Sequence, residues 1–472
     1  MDRFATALDV AAAIRRKEVS PSEVADAYLA RMEALDPQLN AFAHRADDDV
    51  RAAAAKATEV VAGVDDPASL PPFHGVPLPI KNLNAVAGWP CTYGSKGASR
   101  APRTGSDPVV DRFVAAGFVL SGMTNSPEFG TISFTESDAH GVTRNPWDPT
   151  RTPGGSSGGA AAAVASGMAP IAHASDGGGS IRIPSSCCGL VGMKAGRARV
   201  PNKLVELEGF STNGVVARTV ADAAAAFDVV AVVDPYSWYS APQPAEPWAT
   251  LATRDPGRLR VGFTTTAPLG LPVDPACVAA VDETVTALAA AGHDVTETAL
   301  EVPEMDAFVA SFLAVWNTGT AWTPIDDWDA VEPLNAALRA AAREVDSLTY
   351  VEGLRTMQTL AKAVVRPFLE DFDVVVTPTM ACLPPPVGAW REGADADPMV
   401  AMLNCYPMAV FTSVFNVTGL PAISLPVHHD DASGLPVGVQ VVAGPWRDDL
   451  VFQVATQLEQ ALPWAHRHAP IG

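Results

Sequence analysis

The chain has 472 residues, 48% hydrophobic and 18% charged, which is enough to bury a large core and excludes an intrinsically disordered protein. Its net charge is −21, and such an acidic surface repels nucleic-acid phosphates and anionic membranes, so we expect neither as a partner. The sequence shows no secretory leader and no apolar run of about 18 residues, which predicts a cytoplasmic protein.

The cysteines and histidines provide no recognisable metal site. The cysteines contain no CxxC pair, and the adjacent Cys187 and Cys188 do not have metal-ligand spacing. In a chain of this size we expect reduced, mostly buried cysteines in a reducing compartment. No histidine lies in a motif with an acidic partner. We therefore predict that neither a metal nor another cofactor is needed.

The first part of the chain predicts three helices, which span residues 4–16, 21–35 and 47–62. The second has a strong start signal, because Ser20 can act as its N-cap, Pro21 fits the first turn and Glu23 completes a capping box. We expect Asp36-Pro37 to end this helix, because proline disfavours its continuation.

Short apolar runs alternate with helical segments through the rest of the chain. The run at 75–81 predicts a buried strand that ends in a lysine. The other predicted strands span 117–122, 169–172, 259–263, 374–377, 422–426 and 438–442, and the helices 106–116, 157–166 and 275–291. Residues 233–257 are rich in proline and polar residues and predict a long surface connection. The alternation indicates a layered α/β protein.

Two glycine-rich loops each carry a serine. The loop at 154–159 reads GGSSGG, and the loop at 176–184 reads DGGGSIRIP. The first matches the GxSxG pattern, but a turn-rich segment precedes it where a nucleophile elbow needs an apolar strand. No Gly-Lys-Ser/Thr follows, which excludes a P-loop. A glycine-rich helix start that binds nothing, or a phosphate cradle, remains an alternative for this loop.

The second loop is the better nucleophile site. Its consecutive backbone N–H groups could hold a developing negative oxygen while the serine hydroxyl attacks. These groups belong to Gly177, Gly178, Gly179 and Ser180. Asp176 and Arg182 flank the loop with opposite charges and could pin it. A purely structural turn is the alternative.

A serine nucleophile needs a base within reach, and Lys81 is the candidate. The ordinary pKa of lysine, about 10.4, leaves it protonated at pH 7, but burial away from carboxylates lowers that pKa. Its neighbours Ile80 and Asn82 are apolar and neutral. The alternative is a surface lysine at the start of a loop.

Lys81, the loop at 154–159 and the loop at 176–184 together resemble the amidase signature family. Further matches lie at 122–129, 143–147, 415–422 and 436–440. The resemblance implies one α/β domain over residues 1–472, with three α/β/α layers around a large mixed central sheet. The signature core would occupy about 70–220, and 233–257 would be a connection across the domain.

The resemblance also implies a catalytic triad in which Ser180 is the nucleophile. Ser156 would be a bridging serine on a cis peptide, and Lys81 would be the base that takes a proton through it. The N–H groups from Gly177 to Ser180 would form the oxyanion hole. The implied activity is that of an amidohydrolase on linear or cyclic amides, with an acyl group carried on Ser180 and then hydrolysed. Esters and carbamates are further candidate substrates. Many relatives have an acidic residue where this chain has Asn82, which should lower the pKa of Lys81 and leaves its orientation open.

The substrate is expected to be a small-molecule amide of apolar character. Aromatic residues crowd one segment, with Asn317 among them: Phe308, Phe312, Trp316, Trp322 and Trp328. If they line the pocket, an aryl amide, anilide, carbamate or oligoamide would fit, whereas ordinary core packing of an amphipathic helix is the alternative. The chain is also similar to bacterial enzymes that open 6-aminohexanoate cyclic dimers, which implies that Asn125 and Phe134 lie near the site. A homodimer is compatible with this interpretation.

Two other functions stay open on sequence alone. A glutamine-dependent amidotransferase A-type subunit shares the signature, although such subunits typically read TGGSIRQP where this chain reads GGGSIRIP. A non-catalytic ligand-binding protein on the same fold is the second alternative. The intact Lys-Ser-Ser set argues against it.

Overall fold

The computed structural model describes residues 2–204 and 206–472, in which helices and strands alternate along the chain. The helices are α1 (Ala7–Arg15), α2 (Pro21–Leu39), α3 (Asp47–Gly63), α4 (Pro108–Ala115), α5 (Gly158–Ala165), α6 (Arg182–Cys188), α7 (Val220–Val230), α8 (Trp248–Leu251), α9 (Pro275–Ala290), α10 (Met305–Ala321), α11 (Pro333–Arg343), α12 (Ser347–Val365), α13 (Pro367–Glu370), α14 (Val400–Ala409), α15 (Ser413–Thr418) and α16 (Asp448–Ala461).

The strands are β1 (Phe42–His44), β2 (Pro77–Lys81), β3 (Val119–Thr124), β4 (Glu136–Ser137), β5 (Gly141–Val142), β6 (Ile171–Asp176), β7 (Val191–Lys194), β8 (Thr212–Ala217), β9 (Arg260–Phe263), β10 (Asp294–Glu297), β11 (Val374–Pro378), β12 (Ala422–Asp430) and β13 (Leu435–Ala443). In the described part of the chain, eight of them form one sheet in the order β10-β9-β11-β13-β12-β7-β8-β6. The pairs β10-β9 and β9-β11 are parallel and the other pairs antiparallel. This confirms the predicted large mixed sheet.

Both faces of the large sheet are covered by helices. Val441 and Val442 are consecutive on β13, so their side chains point to opposite faces. Val441 packs into a core with α9 and α16, and Val442 into a separate core with α10, α12 and α15. All nine residues of β13 are buried. The result is the expected three-layer α/β/α arrangement.

A small second sheet positions the predicted base. Its strand order is β1-β3-β2, and β2 is parallel to β3. Strand β2 is buried along its whole length and lies beside β6, the edge strand of the large sheet. The carboxyl end of β2, which carries Lys81, is therefore brought to the strand that leads into the second glycine loop.

Most predicted elements are confirmed within a few residues, but the predicted end of the second helix is wrong. Helix α2 continues through Pro37 to Leu39. Pro37 lacks an N–H and so loses one intrahelical hydrogen bond, but the carboxylate of Asp36 accepts the N–H groups of Ala41 and Phe42 just beyond the end. The helix ends at Asn40, which adopts the left-handed conformation.

The proline-rich stretch is not a bare connection. It contains the short helix α8, and Trp248 on that helix is buried against Phe227 with ring centroids 5.1 Å apart. Tyr236 and Trp238 are by contrast exposed. The six cysteines all lie within the described residues and are free, and Cys382 is less buried than the other five. Among the described helices, none is both long and apolar enough to cross a membrane.

Candidate active site

Lys81 is completely buried at the end of β2 and contacts the first glycine loop, at 154–159. Its Nζ donates to Ser156 Oγ at 2.8 Å and lies 3.1 Å from Ser175 Oγ and 3.3 Å from the Ser175 carbonyl oxygen. Its backbone N–H donates to Nδ1 of the buried His173 at 3.2 Å. The alternative of a surface lysine is therefore wrong.

The first glycine loop holds Ser156 at the entrance to α5. The peptide bond between Gly155 and Ser156 is cis, as the family resemblance implied. A Cβ at Gly155 would lie 2.8 Å from the carbonyl carbon of Ser133, so a larger residue does not fit there. Ser156 is 2% exposed, and its hydroxyl is thus kept next to the lysine and away from bulk water.

The environment of Lys81 favours its neutral form. Burial lowers the pKa of Lys81 to about 7, against a smaller opposing effect of the Asp176 charge. No carboxylate of the described residues accepts a hydrogen bond from Nζ; its partners there are hydroxyl and carbonyl oxygens. Near neutral pH a large fraction of the amine can therefore accept a proton.

Asp176 is instead engaged by the second loop and by Arg182. Its carboxylate accepts hydrogen bonds from Nε and Nη2 of Arg182, both at 2.9 Å, and the pair is fully buried. Burial alone would raise the pKa of Asp176, but the charge and hydrogen bonds of Arg182 and the amide of Asn416 outweigh it and hold that pKa well below its usual range. Arg182 also donates to Oε1 of Gln440 at 2.6 Å. The predicted pinning of the loop by Asp176 and Arg182 is present.

The predicted set of oxyanion donors needs one correction. The N–H of Gly179 donates to Asp176 Oδ1 at 2.7 Å, so it is not free to bind substrate. Among the described residues, the N–H groups of Gly177, Gly178 and Ser180 have no hydrogen-bond acceptor. Gly178 and Ser180 line a cavity that lies next to this loop. Sequence spacing could not show that the side chain of Asp176 folds back onto one of the four donors.

Ser180 opens onto this cavity, and its hydroxyl makes no hydrogen bond to any of the described residues. Lys81 thus forms a direct hydrogen bond with Ser156. Ser180 lines the cavity and makes no hydrogen bond to Ser156.

The cavity has a volume of about 170 Å³ and an apolar wall, and no described residue that lines it carries a charged side chain. Helix α10 and the α14–α15 region supply much of that wall: Phe308, Phe312, Trp316, Met402, Tyr406, Val410 and Val414. The Trp316 ring lies about 3.5 Å from the position that a Cβ on Gly177 would take, next to the predicted oxyanion donors. Pocket lining, not core packing alone, accounts for the crowded aromatic residues of α10.

Several of the predicted substrate contacts lie elsewhere. Asn125 is buried away from the cavity and donates its side-chain N–H to the Asn40 carbonyl at 2.7 Å. Phe134 lies near the site but does not line the cavity: its side chain is fully buried in a core that includes α5, and its backbone N lies 2.9 Å from the position that a Cβ on Gly155 would take. Asn317 is buried but does not line the cavity, because the helical turn directs it away from its neighbour Trp316.

The two remaining tryptophans also lie outside the lining. Trp322 is 83% exposed, and Trp328 packs against Phe129 and Arg339. These positions are decided by helix phase and by tertiary packing, not by proximity in sequence.

No local sequence pattern predicted the α14–α15 wall or the partners of Asp176 and Arg182. Asn416 and Gln440 lie inside motifs that match the family, but nothing local assigned them a role. A polar amide within an otherwise apolar run was the available signal, because a buried amide needs hydrogen-bond partners. The apolar residues of α14 and α15 carry no comparable signal.

Comparison with known proteins identifies relatives along the whole chain. A family model described as Amidase matches residues 23–452. The 6-aminohexanoate-cyclic-dimer hydrolase of Pseudomonas sp. (strain NK87) is 36% identical and aligns over 99% of this chain and 97% of its own length. A solved structure of 6-aminohexanoate cyclic dimer hydrolase complexed with substrate superposes with a TM-score of 0.93 at 34% identity, covering 100% of both chains. A bacterial aryl acylamidase of the amidase signature family gives a TM-score of 0.88 at 25% identity, over 98% of this chain and 97% of its own.

Proposed function

The chain belongs to the amidase family and hydrolyses amides, and we propose that it does so through an acyl-enzyme on Ser180, with uncharged, apolar carboxamides as substrates. The observation that carries this proposal is the buried contact between Lys81 and Ser156 beside an apolar cavity onto which Ser180 opens. The reaction uses groups of this chain and water.

In the proposed reaction, Ser180 Oγ attacks the amide carbonyl carbon while its proton passes to Ser156 Oγ. Ser156 in turn gives its own proton to the neutral Nζ of Lys81. The carbonyl oxygen becomes negative and is held by the free N–H groups of Gly177, Gly178 and Ser180. The same relay then returns a proton to the leaving amine, and water attacks the acyl ester by the reverse sequence of proton transfers.

The wall of the cavity supports an apolar substrate. Burying aliphatic or aromatic groups against α10 and α14 is favourable, whereas an unpaired charge there would be strongly unfavourable. The names of two similar proteins, a cyclic-dimer hydrolase of 6-aminohexanoate and an aryl acylamidase, describe amides of this kind. We therefore propose small cyclic or linear oligoamides and anilides as the first substrates to try.

The uncharged lining of the cavity disfavours the amidotransferase alternative. Free glutamine carries an ammonium and a carboxylate, and a site for it needs opposing charges. No charged side chain lines the described cavity. A non-catalytic role is disfavoured by the placement of Lys81, because its buried amine is hydrogen-bonded to Ser156 beside the cavity onto which Ser180 opens.

The proposal is tested with a panel of anilides, aliphatic amides, the cyclic dimer of 6-aminohexanoate, esters and glutamine. We expect turnover of apolar amides, none of glutamine, and no turnover by Ser180→Ala. A fluorophosphonate should label the wild-type protein and not Ser180→Ala. The matched control is Ser166→Ala, because Ser166 is also buried but its hydroxyl only donates to the Ala162 carbonyl oxygen at the end of α5. Full activity of Ser180→Ala would overturn the acyl-enzyme chemistry.

A further inference from the structure

Thr412, which lies between α14 and α15, is fully buried and contacts the loop at 176–184, which carries Ser180. Its Oγ1 donates to the Gly178 carbonyl oxygen at 2.7 Å and lies 3.1 Å from the Ala409 carbonyl oxygen. A hydroxyl has one proton, and the shorter contact is the one to Gly178. The carbonyl oxygen of Thr412 separately accepts Nη1 of Arg182 at 3.0 Å.

These contacts fix one peptide plane at both ends. The carbonyl of Gly178 and the N–H of Gly179 belong to the same planar peptide. Thr412 holds the carbonyl end, and Asp176 holds the N–H end at 2.7 Å. The plane can then neither flip nor tilt freely, and the two peptides on either side of it carry the N–H groups of Gly178 and Ser180.

The close approach of Thr412 depends on the absence of a side chain at Gly179. A Cβ there would lie 2.3 Å from Thr412 Oγ1 and 2.6 Å from Ile183 Cδ1. Gly179 also has a φ of +133°, which favours glycine. The loop is therefore shaped to admit the threonine hydroxyl, and packing alone would not require the hydroxyl to point at a carbonyl.

We propose that Thr412 is a positioning residue for amide hydrolysis: its hydroxyl, by holding the Gly178–Gly179 peptide, aims the N–H groups of Gly178 and Ser180 at the developing oxyanion. This inference rests on the proposed function. It adds a residue that lies far along the chain from the loops at 154–159 and 176–184. The segment that bears Thr412 also walls the cavity through Ala409, Val410 and Ser413. The surface that receives the apolar substrate is thus linked by one hydrogen bond to the groups that stabilise its transition state.

The test compares Thr412→Val with Thr412→Ser. Valine keeps the shape and the backbone bond to Arg182 but loses the hydroxyl, and serine keeps the hydroxyl. With the fastest substrate of the panel, Thr412→Val should lower kcat about 10- to 100-fold and leave KM within about twofold, because the interaction acts mainly in the transition state. Binding of a pentyl trifluoromethyl ketone, which forms a tetrahedral adduct on serine, should weaken by a similar factor.

Two variants complete the comparison. Thr412→Ser should keep kcat within about threefold of the wild type, since its hydroxyl can make the same bond. Thr284→Val is the matched control, because Thr284 is also fully buried but donates to the Ala280 carbonyl within α9. Should Thr412→Val not fold, Thr412→Ala removes the same hydroxyl and gives the same comparison with serine.

The proposal is overturned if folded Thr412→Val keeps wild-type kcat, or if Thr412→Ser falls as far as Thr412→Val. It is also overturned if KM rises while kcat and ketone binding are unchanged, which would indicate a role in shaping the pocket. An active Ser180→Ala would remove the chemistry on which the inference rests. A fully active Thr412→Val beside an inactive Ser180→Ala would overturn only the role of Thr412.

Discussion

Asp176 turns its carboxylate to Arg182 and not to Lys81, although it lies close enough for its charge to act on the lysine. Both of its oxygens accept from Arg182 at 2.9 Å, and the remaining bonds come from the loop backbone and Asn416. The site thus contains a charge-balanced buried pair beside a buried amine that donates to no carboxylate of the described residues. This division of partners explains how the loop is made rigid while the pKa of Lys81 falls.

The proposed base predicts the pH dependence of turnover. Because Lys81 accepts a proton only when neutral, and burial lowers its pKa to about 7, kcat should rise with pH through about 7 and level off above about pH 8. The measurement is kcat for an anilide in matched ionic strength from pH 5.5 to 9.5. A flat profile across that range would contradict a lysine base.

The same burial predicts that Lys81 costs stability. The pKa of Lys81 is about 7 in the folded state and about 10.4 when unfolded. Between these values the unfolded state binds more protons, so stability of the wild type rises with pH. Lys81→Met lacks this dependence. The free energy of unfolding of Lys81→Met should therefore exceed that of the wild type by about 2–3 kcal/mol more at pH 6 than at pH 9.

Denaturant unfolding of both proteins at the two pH values checks this prediction, and titrations elsewhere in the chain cancel in the difference. The Lys81→Met protein should also be inactive. An equal stability difference at pH 6 and pH 9 would show that the lysine titrates normally in the folded protein.

Neutralising Asp176 should destabilise the fold. Asp176→Asn leaves the Arg182 guanidinium buried without its counter-charge, which typically costs about 3–5 kcal/mol. The control is Asp294→Asn, because Asp294 pairs with Arg258 on the surface and such exposed pairs contribute little to stability. Urea unfolding of both variants measures the contrast, and equal, small losses would contradict a structural role for the buried pair.

Where Asp176→Asn still folds at a working temperature, its pH profile gives a further check. The Asp176 charge raises the pKa of Lys81, against the larger effect of burial. Removing that charge should shift the rising limb of kcat to lower pH. A shift to higher pH would contradict the charge relationship between the two residues.

The two tryptophans near the end of α10 provide a matched test of the cavity. Trp316 lines it, whereas Trp322 is exposed and outside it. Trp316→Ala should lower kcat/KM for an anilide by about 10- to 200-fold through lost apolar contact, and Trp322→Ala should leave it within about twofold. Thermal melts of both variants control for unfolding. Equal effects of the two substitutions would place the substrate elsewhere.

Substrate series test the same cavity without substitutions. Each additional methylene that is buried contributes about 0.8 kcal/mol, so kcat/KM should rise along a series of longer acyl chains until the cavity is full. A terminal carboxylate on the same chain should remove that gain, because no charged side chain of the described lining can pair with it. Faster turnover of the charged amide would contradict the proposed substrate class.

Local sequence was sufficient for the parts of the site whose chemistry depends on neighbouring residues. The glycine runs predicted close backbone donors, the serines next to them predicted hydroxyls, and the apolar strand before Lys81 predicted its burial. The alternation of apolar runs with helical patterns predicted the layered fold. The end of α2 was missed because the carboxylate of Asp36 stabilises the backbone beyond Pro37, and such capping depends on three-dimensional geometry.

By itself the sequence determined the residue types that can carry amide hydrolysis and their order along the chain, because glycine freedom, hydroxyl reactivity and apolar periodicity are properties of short segments. Only the tertiary structure decided which N–H groups are free, that Asn416 and Gln440 join the Asp176–Arg182 pair, and that Thr412 reaches Gly178 from 234 residues away. Hydrogen-bond partners and burial depend on segments that meet only after folding, and no local pattern encodes which of them will meet.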